Sequence, residues 1–302
     1  MKKLKYLVMA AIAAVVFACG TTRTVPITGR KQNILVSDEQ VLSLSNQEYT
    51  NYMKSAKLST NSANTAMVKR VGQRLATAVE TYLNEHGMAA DAKEYSWEFN
   101  LVQDKSVNAF CMPGGKIVVY EGLLPVTQDE ASLAIVLGHE IAHAVAKHSA
   151  EQMSKQIKNQ YGTQILGQVL NAAGVSSSTT QLAQIIAQKG LLFRSLKYSR
   201  DNESEADHMG LIFAAMAGYD PNVAVTFWQR MAQATGSNNQ SDIFSDHPSD
   251  AKRIAAIKQE LPEALTYYKP VKTTTTTKKT TTSTKKKTRT TSKKKTTKTR
   301  RK

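Results

Sequence analysis

The sequence predicts an α+β fold, mainly helical, with a small antiparallel sheet or hairpin beside one buried helix. Three observations carry that expectation. Apolar residues recur at helical spacing over several long stretches, one short region reads as strands around a Pro-Gly-Gly turn, and one helix is apolar almost all round although it contains His139, Glu140 and His143.

Taken in order, Ser62 to Tyr82 sets Met67, Val68, Val71, Leu75, Val79 and Leu83 on one face of an amphipathic helix. Trp97, Phe99 and Leu101 alternate with Glu98 and Asn100, the pattern of a half-buried strand. Asn108 to Met112 and Lys116 to Tyr120 flank Pro113-Gly114-Gly115 and read as a hairpin. Asp129 and Glu130 open a helix expected to run through Leu133, Ile135, Val136 and Leu137 to His148, and to be buried. A less determined stretch follows from Met153 to Phe193, with a Ser-Ser-Ser-Thr-Thr loop at 176–180 and an apolar patch at Ile185, Ile186, Leu191, Leu192 and Phe193. Asp201 to Met216 reads as another helix, which Gly218-Tyr219-Asp220-Pro221 ends before the next begins.

The 302 residues carry a net charge of +16, but its placement argues against a basic nucleic-acid-binding fold. Lys269 to Lys302 contains fifteen basic residues and no acidic one, and Lys2, Lys3 and Lys5 add three, so residues 6 to 268 are left at about −2. With only Cys19 and Cys111 a disulfide scaffold is also excluded. Residues 1 to 18 have the positive start and the short apolar run, Leu7 to Ala18, of a secretory signal, too short for a membrane-spanning helix. The run closes in Val16-Phe17-Ala18-Cys19-Gly20, which resembles the lipobox of bacterial lipoproteins, so Cys19 is the expected lipidation site. Gly20 rather than Asp after the Cys points to the outer membrane, facing the periplasm. The expected organisation is therefore a signal at 1–18, a catalytic domain at 19–268 and a Lys/Thr-rich disordered tail at 269–302. That tail is either simply solvated or a tether to anionic envelope lipids or polymers; nucleic acid is not expected as a partner.

His139-Glu140-x-x-His143 puts two imidazoles on one helix face, where both can reach a single metal, with Glu140 beside the place of an attacking water. Catalytic zinc needs a third protein ligand and an open position. The metzincin spacing would want Gly at 146 and His at 149, where Ala146 and Ser149 stand, and His148 is out of register, read as a structural or surface His on the same helix. Glu203 is the candidate from a second helix, with the surface acid as the open alternative. Asp207, four residues on, is placed to accept a hydrogen bond from a ligand His, Ala206 and Gly210 are small enough to let the helices approach, and Glu205 points elsewhere.

His-Glu-Ile-Ala-His, Glu203-x-Glu205-Ala206-Asp207-x-x-Gly210, Ala217-Gly218-Tyr219-Asp220-Pro221 and Asp246-His247-Pro248 with Arg253-Ile254 together resemble the gluzincin-type zinc metallopeptidase family forty-eight. Thr28-Gly29-Arg30-Lys31-Gln32, Asn108-Ala109-Phe110 and Pro113-Gly114-Gly115 extend the resemblance over about residues 26 to 260. It implies a zincin-like metallopeptidase domain with one Zn2+ held by His139, His143 and Glu203, Glu140 as general base and Asp207 behind a ligand His. It makes Asn108, Ala109, Phe110 and Cys111 an edge strand that binds extended substrate as an added strand. His247 matches a His near the metal that stabilises an oxyanion or caps the zinc at rest; as a structural His before Pro248 it has an ordinary role instead. Cys111 and Met112 stand where plain aliphatics are commoner, and docking through tetratricopeptide repeats is expected to be absent. The implied activity is endoproteolysis of unfolded or misassembled envelope proteins, with the stretch Met153 to Phe193 as a gate or a second membrane contact. The rival is a proteolytically restrained chaperone-like or polyanion-binding envelope lipoprotein.

Overall fold

The computed structural model describes residues 21–156, 158, 193, 196–236 and 251–270. Cys19, His247, the loop at 176–180, most of the expected gate and the tail beyond 270 lie outside the described residues. The architecture is the mainly helical α+β fold that the sequence predicts.

An unforeseen hairpin comes first: β1 (Thr21–Thr24) pairs antiparallel with β2 (Lys31–Ile34). Helix α1 (Asp38–Ser55) follows, closed at its start by a reciprocal Ser37–Gln40 capping box. Helix α2 (Ser62–Glu85) buries Val68, Val71, Leu75, Val79 and Leu83, the face given by its 3.6-residue period. Strands β3 (Glu98–Val102), β4 (Ala109–Met112) and β5 (Lys116–Tyr120) form one sheet in the order β3-β5-β4. The β4–β5 pair is the expected antiparallel hairpin; Gly114 and Gly115, at φ +83° and +82°, supply the left-handed backbone of its turn. β3 joins the other side of β5 in parallel, which leaves β5 central and wholly buried and β4 at an edge.

The pleat sorts the sheet's side chains into two cores. Phe99, Leu101, Ala109, Cys111, Ile117 and Val119 belong to the larger one, with α2 and the helix α3 (Glu130–Val145). Val102, Met112, Val118 and Tyr120 meet Val41 and Tyr49 of α1 on the other side. In α3, capped by Asp129 onto the Ser132 amide, every residue from Ser132 to Val145 is buried.

α3 does not run on to His148. It stops at Val145, and Ala146 and Lys147 form a turn before helix α4 (148–156) begins. Lys147 adopts φ +52°, a conformation in which helix ends usually place Gly. Its ammonium is held by Asp38, Asp91 and Glu94 at 2.9, 3.1 and 2.8 Å, and these distant carboxylates offset the local strain. The remaining helices are α5 (Arg200–Met216), with a Ser199–Asn202 capping box, α6 (Val223–Gly236) and α7 (Ala251–Tyr267). Among the described residues no helix is long and apolar enough to cross a membrane.

Candidate metal centre

α3 and α5 touch backbone to backbone where Gly138 faces Gly210. That approach brings Glu203 of α5 up to the two imidazoles of α3. His139 Nε2 and His143 Nε2 lie 3.0 Å apart, and they are 3.5 and 3.4 Å from the two Glu203 carboxylate oxygens. All three side chains are buried, and they form a group able to hold a metal ion. Zinc bonds of about 2.0–2.1 Å in a tetrahedron put neighbouring ligand atoms ~3.3 Å apart, so the donor set fits zinc with one position left open.

Behind His139, Asp207 Oδ1 is 2.9 Å from Nδ1. Arg253 of α7 donates from Nε to Asp207 Oδ2 and from Nη2 to Oδ1, both at 2.7 Å, while its guanidinium lies 3.6 Å above the Trp228 ring. Burial and the Arg253 charge oppose a proton on His139, yet bonds from Asp207 and Glu203 outweigh them and raise its pKa to about 9. The carboxylates therefore make this position favour positive charge, a demand that a divalent cation meets in place of the proton.

Glu140 is buried on the same helix. Burial pushes the Cys111 thiol well up and the Glu140 charge adds to the rise, so the β4 residue and the helix acid share one electrostatic environment. Ala109 and Cys111 face the larger core with α3; Phe110 points the opposite way, edge-on to Tyr52 and Tyr120. The Asn108 carbonyl accepts from Tyr120 N–H at 3.0 Å and so extends the β4–β5 ladder by one residue. Tyr198 stacks on His143, ring centroids 4.1 Å apart, and its hydroxyl is 2.9 Å from Ser149 Oγ.

One reading from the sequence needs correction. His148 is neither on α3 nor at the surface: the turn at Lys147 folds it in, completely buried, with Nδ1 2.9 Å from His143 Nδ1 and Nε2 2.9 Å from Glu205 Oε2. Glu205 points away from the metal group, as its place on the helix implied, and enters a buried network. It accepts from Thr28 Oγ1 at 2.5 Å and from Arg30 Nε at 2.8 Å. The Arg30 guanidinium also grips Glu151 through two bonds of 3.0 and 2.8 Å. In the sequence Arg253 and Thr28 to Gln32 stand out only as parts of motifs and Trp228 and Tyr198 not at all; nothing in their local spacing assigns them.

Burial alone would raise the Glu151 carboxyl, but bonds and charges from Arg30 and Lys155 outweigh it and hold the pKa at about 2. A depressed carboxylate stabilises the fold fully above its unfolded value near 4.5 and loses that contribution as pH falls towards 2. Acid unfolding of wild type and Glu151→Gln should therefore converge between pH 4.5 and 2; a gap in denaturation midpoint that stays constant over this range would show that Glu151 is not ion-paired.

The model of Peptidase family M48 matches residues 62–261, more than half of the chain. Over 172 residues the chain is 42% identical to the mitochondrial metalloendopeptidase OMA1 of Schizosaccharomyces pombe, covering 57% of this chain and 48% of that one. Over 244 residues it is 31% identical to the mitochondrial metalloendopeptidase OMA1 of Homo sapiens, covering 80% and 46%. Over 186 residues it is 30% identical to the beta-barrel assembly-enhancing protease of Escherichia coli O157:H7, covering 58% and 37%. The chain thus spans about half or less of the length of these relatives.

Proposed function

The chain belongs to Peptidase family M48, and from that premise we propose that it is a zinc metalloendopeptidase acting on extended polypeptides. The observation that carries this reading is the convergence of His139, His143 and Glu203, all buried, with ligand atoms within 4.8 Å of one another. Zinc, when bound, supplies a Lewis acid that polarises the peptide carbonyl and lowers the pKa of a water. Glu140 takes a proton from the attacking water and returns it to the leaving amine. Asp207, fixed by Arg253, holds His139 in the tautomer that presents Nε2 to the centre. His247 is the proposed partner of the developing oxyanion. The edge strand from Asn108 to Cys111 pairs with the substrate backbone, so selection falls on extended chain more than on side chains.

The proposed setting is the cell envelope, with residues 1–18 as signal, Cys19 lipidated, 19–268 as the catalytic domain and 269–302 as a basic tail towards anionic lipids or polymers. Supporting it are the apolar run ending in Val16-Phe17-Ala18-Cys19-Gly20 and the likeness to a relative named for β-barrel assembly. Unfolded or misassembled envelope proteins are the proposed substrates. The OMA1 relatives are mitochondrial by name, and the lipobox-like segment favours the bacterial setting.

The test is metal removal. The purified chain should contain about one equivalent of zinc and cleave an unfolded protein; stripping the metal with a chelator should stop cleavage, and added zinc should restore it. Cleavage that survives complete removal of zinc would end this reading.

A further inference from the structure

We propose that His148 and Glu205 are positioning residues for His143, fixing which of its nitrogens faces the metal, and that Thr28 and Arg30 of the N-terminal hairpin clamp Glu205 for this purpose. The proposal rests on the metal-centre reading above. Its starting point is the chain His143 Nδ1 to His148 Nδ1, 2.9 Å, and His148 Nε2 to Glu205 Oε2, 2.9 Å.

Donor and acceptor roles along this chain have one consistent order. An ionised carboxylate only accepts, so His148 Nε2 carries the hydrogen donated to Glu205. The neutral imidazole has a single N–H, so His148 Nδ1 is an acceptor and the hydrogen between the two rings belongs to His143 Nδ1. His143 Nε2 is then left with its lone pair, and it is this atom that lies beside His139 Nε2 and the Glu203 carboxylate. The reverse order would put a hydrogen on Nε2 and aim it into the metal group.

The broken helix is what makes this chain possible. In a continuous helix a residue five positions after His143 lies about 140° round the axis, away from the back of the ring. The turn at Ala146–Lys147 swings His148 under His143 instead. Glu205 is kept in place from another direction, by the Thr28 hydroxyl and the Arg30 guanidinium, which is itself anchored on Glu151. Each ligand His thus ends on its own carboxylate: His139 directly on Asp207, His143 through His148 on Glu205.

Nitrogen-correlated NMR of the zinc-loaded full chain should find His148 as the neutral tautomer with hydrogen on Nε2; hydrogen on Nδ1 would overturn the proposal without any variant. Zinc affinity, measured by chelator competition, gives a second reading. His148→Phe keeps the shape but no acceptor and should bind zinc about 10–100-fold more weakly. His148→Asn, whose Oδ1 can accept near the Nδ1 position, should stay within about threefold of wild type. The opposite order, with Phe retained and Asn weakened, means that His148 only fills space and refutes the proposal. Glu203→Ala separates the two levels: if it keeps wild-type zinc affinity, the metal-centre reading fails and this proposal with it. If it loses zinc while His148→Phe does not, this proposal alone fails.

Discussion

Glu140→Gln should leave about one equivalent of zinc on the protein and lower cleavage of an unfolded substrate by ~10²–10⁴-fold, the range that a positioned general acid–base group contributes. The two side chains have nearly the same size, so the buried position beside His139 need not repack. What changes is that the amide cannot take a proton from water. The metal group His139, His143 and Glu203 does not include residue 140, so zinc content should not follow activity. Glu203→Ala should behave the other way, losing zinc and activity together, because removing one of three ligands opens the coordination. Measuring zinc and cleavage on both variants separates loss of chemistry from loss of metal. Equal cleavage by wild type and Glu140→Gln would favour the rival, a chaperone-like envelope protein that keeps the zinc fold.

The parts of the centre legible in the sequence are those that depend on a single helix. His139 and His143 share a face because they are four apart, and Glu203 and Asp207 do so for the same reason; each pair needs only local geometry. The meeting of the two helices was also foreshadowed, since Gly210 leaves room for it. What could not be read locally was made by contacts between distant residues. The turn that ends α3 has no Gly and no Pro; the Lys147 ammonium within it is held by Asp38, Asp91 and Glu94, all distant in sequence. The partners of Glu205, Thr28 and Arg30, are more than 170 positions away and so leave no local mark. β3 was recognised as a strand by alternation, but its parallel pairing with β5 depends on the sheet as a whole and leaves no mark on either strand.

Gly210→Ala should lower the stability of the chain by about 2 kcal/mol, a fall of roughly 4–8 °C in melting temperature for a domain of this size, and weaken zinc binding as well. Helix propensity predicts the opposite sign, since Ala in place of Gly inside a helix gains about 1 kcal/mol. The contact reverses it. A Cβ at residue 210 would lie 2.7 Å from the His139 amide nitrogen and 2.9 Å from the Gly138 carbonyl carbon, and a Cβ at residue 138 would lie 2.7 Å from the Gly210 carbonyl oxygen. All of these neighbours are backbone, so no rotamer change relieves them; α5 must move off α3. Moving it lengthens the 3.4 and 3.5 Å separations of Glu203 from the two imidazoles and the 2.9 Å bond from Asp207 to His139, and a metal held by both helices feels each change. Ser204→Ala, at an exposed position of the same helix, is the control for propensity and should shift stability by no more than about 0.5 kcal/mol. If Gly210→Ala raised the melting temperature and kept wild-type zinc affinity, the close approach of the helices would not be what sets the metal group. The expected loss of both places the geometry of the centre in two residues that have no side chain.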